Sequence, residues 1–500
     1  MNINQAKEYI KNTVSIYLKK DRFGDYKIPL ERQRPVFLLG APGIGKTAIM
    51  EQIAQELNIA LVSYSMTHHT RQSAIGLPVI RHKSYEGMEY DVSEYTMSEI
   101  IATIYETMEE SGIKEGILFL DEINCVSETL SPAMLLFLQY KVFGKHKVPE
   151  GWVVVTAGNP PEYNKSVREF DVVTLDRLKV INVEADYDTW RSYGIEKGIH
   201  NAIISFLDIK KEFFYHMETT IEGRSYITAR GWEDLSQIIS MYEEEKLKID
   251  ENLISQYLRN KNVVKEFSAY YDLYNKYKND YRLEDILNGK ADEKIISKAQ
   301  NAGFDERLSL VGMLLDKVSA RMRDAVETTD YFGELMKPLK AIKASGDVLA
   351  VMDVHINAQE KILFNLKKAN SLSDQERKIR KRIISFLKDS KSEIISQADV
   401  VGEHKFDLIK GKFDAMVSKL KEDTNCIESN LTFLFDFVEK AFGDNNEMLI
   451  LVTQLTVDKY SSRYLAMYKC PSYEEYSERL MITERKNNIK EDVEKLLQIS

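Results

Sequence analysis

Proline almost disappears from this chain after residue 161: Pro29, Pro35, Pro42, Pro78, Pro132, Pro149, Pro160 and Pro161 precede that point, and only Pro338 and Pro471 follow in 500 residues. Proline breaks helix interiors, so the later part is free to form long helices and the turns concentrate in the earlier part. Cysteine is scarce too. Cys125, Cys426 and Cys470 are odd in number, far apart and without CxxC spacing, which excludes a disulfide framework and gives no zinc pattern. A reducing, cytoplasmic setting is the simplest expectation. Long apolar runs are missing: Met1 to Lys20 mixes Ile3, Ile10, Val14 and Ile16 with lysines, unlike a secretory signal. No stretch approaches an uncharged span, so no membrane insertion is expected. Positive charge is in deficit, at a net -10 and a pI near 5.6, which disfavours a dedicated polyanion binder.

What is present is ordinary globular material. Hydrophobic residues make up 44% and charged residues 29%, and the length exceeds what one core usually supports, so two to four domains are expected. Five short apolar runs alternate with helical patterns in the first part: Val36–Leu39, Ile59–Tyr64, Gly116–Leu120, Trp152–Thr156 and Leu178–Val183. Strands buried on both faces of a parallel sheet read this way. Between the second and third runs, Val79-Ile80 and Met88-Glu89-Tyr90 flank Glu86-Gly87, the pattern of a projecting β-hairpin. After about residue 184 the pattern turns helical, from Trp190 to Phe214 and Thr228 to Tyr242. Charged amphipathic segments follow at Asp305–Thr328, Asp347–Ala369, Gln375–Ala398 and Lys405–Lys421. Ser373-Asp374-Gln375-Glu376 reads as a capping box. The aromatic stripe Phe433, Leu434, Phe435, Phe437 and Phe442 reads as core packing.

Three places carry chemistry. Gly40-Ala41-Pro42-Gly43-Ile44-Gly45-Lys46-Thr47 matches a phosphate-binding loop, in which glycines let successive N–H groups turn toward an anion at a helix start. Lys46 is expected to reach the β- and γ-phosphates of ATP and the Thr47 hydroxyl to ligate magnesium. The third apolar run ends in Asp121-Glu122. An acidic pair after a strand often only caps the next helix. Downstream of a phosphate loop it suits Asp121 as a holder of Mg2+ and Glu122 as the acceptor of a proton from attacking water. The fourth run leads into Ala157-Gly158-Asn159-Pro160-Pro161, where Asn159 reads either as a turn residue before proline or as an amide placed to orient that water.

In that order, these residues resemble the AAA+ superfamily, with Gly40 to Thr47 as Walker A, Ile117 to Glu122 as Walker B and Asn159 as sensor 1. Gly76-Leu77-Pro78, Phe143 to Pro149, Ala157 to Asn164, Leu175-Asp176-Arg177 and Thr228 to Glu233 narrow the resemblance to the MoxR-like branch. It implies an α/β P-loop NTPase core, a parallel sheet flanked by helices, followed by a helical lid and a long, mainly helical C-terminal region. Five segments are expected: an N-terminal helical segment over 1–34, the nucleotide-binding domain over 35–184, the lid over 185–245, an extended charged helical region over 246–425 and a helical cap over 426–500. The resemblance implies Arg177 as an arginine finger reaching a neighbouring subunit, with Arg168 as the substitute, and Arg230 as sensor 2; a guanidinium stays charged and spreads its donors over phosphate oxygens. It also implies an ATPase that uses ATP and Mg2+, forms a homo-oligomeric ring, a hexamer by the family's pattern, and remodels or matures a client, often with a von Willebrand factor A domain partner. A nucleic-acid motor or a nucleotide-switched scaffold are the alternatives. His68-His69 lacks a third ligand at sensible spacing, and Arg377 to Arg382, with acids on both sides, reads as a solvated helix face.

Overall fold

The computed structural model describes residues 1–163, 167–220, 223–396, 404–443 and 445–480. Asn164, Ala398 and the end of the expected C-terminal cap lie outside the described residues. The chain forms two compact units: one of residues 1–189 and 353–388, the other of residues 190–352 and 389–500.

The first unit opens with helix α1 (Ile3–Tyr17), capped by Asn2 and Gln5 in a reciprocal capping box. Its sheet has five strands: β1 (Val36–Gly40), β2 (Ala60–Ser65), β5 (Gly116–Asp121), β8 (Trp152–Gly158) and β9 (Lys179–Val183). They are parallel, in the order β2-β5-β8-β1-β9, and they match the five apolar runs. Parallel strands need crossovers, and α2 (Lys46–Leu57), α3 (Arg71–Ile75), α4 (Glu99–Ser111), α5 (Ser131–Tyr140) and α6 (Val172–Asp176) lie between them. Val62, Leu118, Leu120 and Val154 of the sheet share a buried core with Ile100, Ile101 and Ile104 of α4 and with Phe137 of α5. Two antiparallel hairpins interrupt the crossovers: β3 (Pro78–Tyr85) with β4 (Met88–Tyr95), and β6 (Val142–Phe143) with β7 (His146–Lys147). The first turns on Glu86 and Gly87, whose φ angles of 51° and 85° match the twist of paired strands.

The second unit is not purely helical as the sequence pattern suggests. After α7 (Tyr187–Lys197) and α8 (Asn201–Ile209) comes a third hairpin, β10 (His216–Thr220) with β11 (Gly223–Ile227). The short alternating stretch around Met217 and Tyr226 carries too little apolar material to announce it. Then come, in chain order, α9 (Ala229–Glu244), α10 (Glu251–Tyr257), α11 (Lys261–Asp280), α12 (Leu283–Leu287), α13 (Glu293–Gln300), α14 (Phe304–Lys343), α15 (Val348–Lys368), α16 (Asp374–Ser396), α17 (His404–Phe442), α18 (Asn446–Val457) and α19 (Lys459–Met467), of which α15 and α16 fall mostly in the first unit. Helix α17 runs unbroken across residue 425, since no proline interrupts it before Gly443, whose φ of 68° ends it. Phe206, Trp232 and Phe267 meet at ring-centroid distances of 5.2–6.0 Å, and Phe435 and Phe437 of the aromatic stripe are buried.

Residues 353–388 belong with the sheet. Leu61 N donates to Ala369 O at 2.8 Å, Asn370 Nδ2 donates to Leu61 O at 3.1 Å, and Lys368 pairs with Glu110 of α4 at 2.9 Å. The turn between α15 and α16 thereby satisfies both backbone groups of Leu61 on the open edge of β2, which would otherwise stand as an unpaired strand edge.

Candidate active site

Strand β1 ends at Gly40, where a Cβ would lie 2.6 Å from Val183 O on the neighbouring strand. Gly43 and Gly45 follow with φ of 74° and 95°, left-handed values that curl the chain so its N–H groups converge. Among the described residues, the N–H groups of Gly43, Ile44, Gly45 and Thr47 donate no hydrogen bond. Helix starts leave donors of this kind, and here several gather in one loop at the start of α2, an anion site by construction.

Lys46 sits just inside α2 and is nearly buried. Its Nζ donates to Gly40 O at 2.7 Å, Ala41 O at 2.8 Å and Asn159 Oδ1 at 2.9 Å. The loop lysine and the tip of β8 are therefore in direct contact, although 113 positions separate them. Parallel pairing of β8 beside β1 brings this about, since it carries Leu39 opposite Gly158.

The acidic pair lies at the same edge. Asp121 Oδ2 accepts from Thr47 Oγ1 at 3.0 Å, and Asp121 Oδ1 accepts from Glu122 N at 2.8 Å. Glu122 has φ 55° and ψ 35°, a left-handed conformation that only a constrained turn imposes on a glutamate. It breaks the strand direction immediately after Asp121, so the two carboxylates diverge. Glu122 Oε2 accepts from Ser65 Oγ at 3.0 Å and Thr67 Oγ1 at 2.9 Å.

Sequence reasoning missed Ser65 and Thr67, and it missed Asn124. Asn124 Nδ2 donates to Asn159 O at 2.8 Å, and its backbone carbonyl accepts from Arg168 N at 2.9 Å. A Cβ at Gly158 would fall 2.4 Å from Asn124 Oδ1, so the glycine before Asn159 is what admits this amide. The available signal was position: Ser65 is a polar residue at the carboxyl end of a buried strand, where parallel-sheet sites form.

The arginines are placed differently. Arg177, the C-cap of α6, is exposed, and its Nη1 donates to Gln139 Oε1 of α5 at 2.5 Å. It shares no hydrogen bond with the loop, the acidic pair or Asn159 within this chain. Arg168 pairs with Glu128. Arg230 lies in the first turn of α9 in the second unit, exposed, with no side-chain hydrogen bond or ion pair among the described residues. The remaining motifs carry no such chemistry. His69 Nδ1 meets Ser73 Oγ at 3.2 Å. Arg377 and Arg380 pair with Asp374 and Glu376 along α16.

Residues 36–172 match the family model described as ATPase family associated with various cellular activities (AAA). No curated protein matches the chain. The chain thus contains an AAA ATPase domain, and it is an ATP hydrolase. No helix among the described residues is long and apolar enough to cross a membrane.

Proposed function

We propose that the chain is a MoxR-like, ring-forming ATPase that uses ATP hydrolysis to remodel or mature a client protein, with a von Willebrand factor A domain protein as client or adaptor. The free N–H groups of the loop and Lys46 would bind the phosphates. Thr47 and Asp121, already joined through hydroxyl and carboxylate, form the oxygen pair that suits a hard divalent cation. Magnesium held there would supply charge neutralisation at the phosphates. Glu122 would accept the proton of attacking water, and Asn159, already joined to Lys46, would orient that water. Ser65 and Thr67 hold the Glu122 carboxylate in place through Oε2, and Oε1 would take the proton. Arg230 would act as sensor 2 from the lid.

The observation that carries the ring is on α6. Val172 and Val173 are 82% and 60% exposed one turn before the exposed Arg177, an apolar patch beside a cation that makes no bond to its own chain's site. Burial against a neighbouring subunit would cover the valines and deliver Arg177 to that neighbour's nucleotide.

The client-facing surface is assigned to the hairpins. Tyr85, Met88 and Tyr90 are exposed at the tip of β3–β4, with the two rings 6.1 Å apart. Glu94 joins this hairpin to the second one: Lys145 and Lys83 both bond to it, and they hold its carboxyl down at about 2. Linked hairpins would move as one when the nucleotide state changes.

Subunit mixing tests the ring. Arg177→Ala should bind ATP and hydrolyse it poorly, and mixing it with hydrolysis-dead Lys46→Ala should restore part of the rate, because each variant supplies what the other lacks. No restoration with Arg177→Ala, alongside restoration with Arg168→Ala, would assign the finger to Arg168. Val172→Asp should block ATP-dependent assembly in sedimentation velocity, and assembly unaffected by it would remove α6 from the interface.

A further inference from the structure

Within the second unit, α7, α8, α14 and α18 enclose a cavity of about 240 Å³. Small residues on α14, namely Gly312, Ser319 and Ala320, leave the space. At about 30 Å³ per water it has room for roughly eight waters, and it is smaller than the pockets of drug-sized ligands at about 300–1,000 Å³. A compact polar molecule fits such a volume.

Its lining is polar and incompletely paired. Asp458 caps α19 with Oδ2, accepting from Ser461 N at 2.7 Å, while its Oδ1 is buried without a partner and the residue is 8% exposed. Asp316 projects from α14 at the solvent-exposed mouth of this volume, and its side chain makes no hydrogen bond or ion pair among the described residues. On the donor side, Asn201 Nδ2 and Arg323 Nε are buried without partners. Arg323 spends Nη2 on Ile195 O at 2.7 Å and stacks over Tyr460.

Buried polar atoms are nearly always paired, so orphans of both kinds around one cavity call for an occupant that both donates and accepts. Charge narrows the class. Arg191 and Asp208 form a pair at 2.6 Å, and Lys278 and Lys317, outside the lining, are held by Glu243 and Glu284, which leaves Arg323 as the remaining cation of the lining against the carboxylates Asp316 and Asp458. A cation is favoured on the carboxylate side and an acceptor on the Arg323 side.

We propose that this cavity binds an amino-acid-sized zwitterion, its ammonium or guanidinium group on Asp316 and Asp458 and its carboxylate on Arg323 Nε and Asn201 Nδ2. The site is separate from the ATPase loop and stands without the ring reading. Isothermal calorimetry and thermal shift on the full chain with L-lysine, L-arginine and agmatine test it, agmatine being arginine without its carboxylate. At least one amino acid should bind with unit stoichiometry and raise the melting temperature, and agmatine should bind about tenfold more weakly or worse. Asp316→Asn should weaken binding by a similar factor, Ala320→Leu should abolish it by filling the space, and Lys46→Ala should leave it unchanged. No binding of either amino acid at millimolar concentration would overturn the proposal, as would binding that both cavity variants retain. Agmatine binding as tightly as L-arginine would overturn the zwitterion assignment.

Discussion

The two units use polar side chains in opposite ways. In the sheet unit they gather at one edge, where Lys46, Thr47, Asp121, Glu122 and Asn159 come from three strand ends and bond to one another. In the helical unit, outside the cavity lined by Asp316, Asp458 and Arg323, they are spread between helices as structural ties. Glu243 of α9 receives bonds from Tyr271 at 2.8 Å and Lys278 at 3.0 Å and meets His200 at 3.3 Å. Asn430 of α17 donates to Leu287 O at 2.7 Å and accepts from Arg321. Parallel strands in register bring their carboxyl ends to a common edge whatever the intervening sequence. Helix pairs meet wherever their ridges interlock, so polar contacts between them depend on crossing angle and register. Clustered polar groups with free valences make chemistry; ties that satisfy each other make stability.

That contrast can be broken variant by variant. The largest effect is expected at Lys46: Lys46→Ala should abolish ATP binding in a filter or fluorescence assay while the urea midpoint stays near wild type. Trp232→Ala should do the reverse. Its ring is fully buried, against Phe206 and Phe267, and Nε1 donates to Phe213 O at 3.2 Å. Its removal should cost about 3–5 kcal/mol by urea unfolding, with nucleotide affinity kept wherever the first unit remains folded.

Glu243→Gln should cost about 1–3 kcal/mol at neutral pH in a pH-dependent way. The contacts with His200 first, then Lys278 and Tyr271, outweigh burial and hold the Glu243 carboxyl at about 2 against an ordinary 4.5. A carboxylate depressed in the folded state stabilises above the unfolded value and loses that stabilisation as pH falls. The gap between wild type and variant, measured as melting temperature, should therefore narrow from 4.5 downward toward about 2. A gap independent of pH would mean that the pairing is not ionic.

The smallest effect is expected at the turn between α15 and α16. Asn370 holds Leu61 O from a left-handed φ of 51°, and Asn370→Ala removes the bond and strains the backbone, at about 1–2 kcal/mol. ATP affinity should hardly change. Faster hydrogen exchange at the β2 edge would locate the loss, and unaltered exchange there would show that the turn does not protect the strand.

The sheet unit was legible because its signals are local. Each strand is a short β-branched or apolar run, the turn at Glu86-Gly87 states its geometry, and the loop from Gly40 to Thr47 needs glycine at the positions where φ is positive. Ser65 was marked only by its place at a strand end, and Thr67 and Asn124 were not legible, since single polar residues acquire meaning only once β2 and β8 are known to flank β5. The return of residues 353–388 to the sheet was hidden for a related reason. Amphipathic periodicity says that α15 and α16 bury one face and does not say against what. The β10–β11 hairpin, too short and too polar to announce itself, was read as part of a helical region.

Glu122 tests the central claim most directly, because it separates a site that holds ATP from one that hydrolyses it. Steady-state ATP turnover and equilibrium ATP binding should be measured side by side for wild type and Glu122→Gln. Turnover should fall about a hundredfold or more with affinity retained. Turnover within a factor of about three of wild type would contradict the assignment of Glu122 as the group that takes the proton.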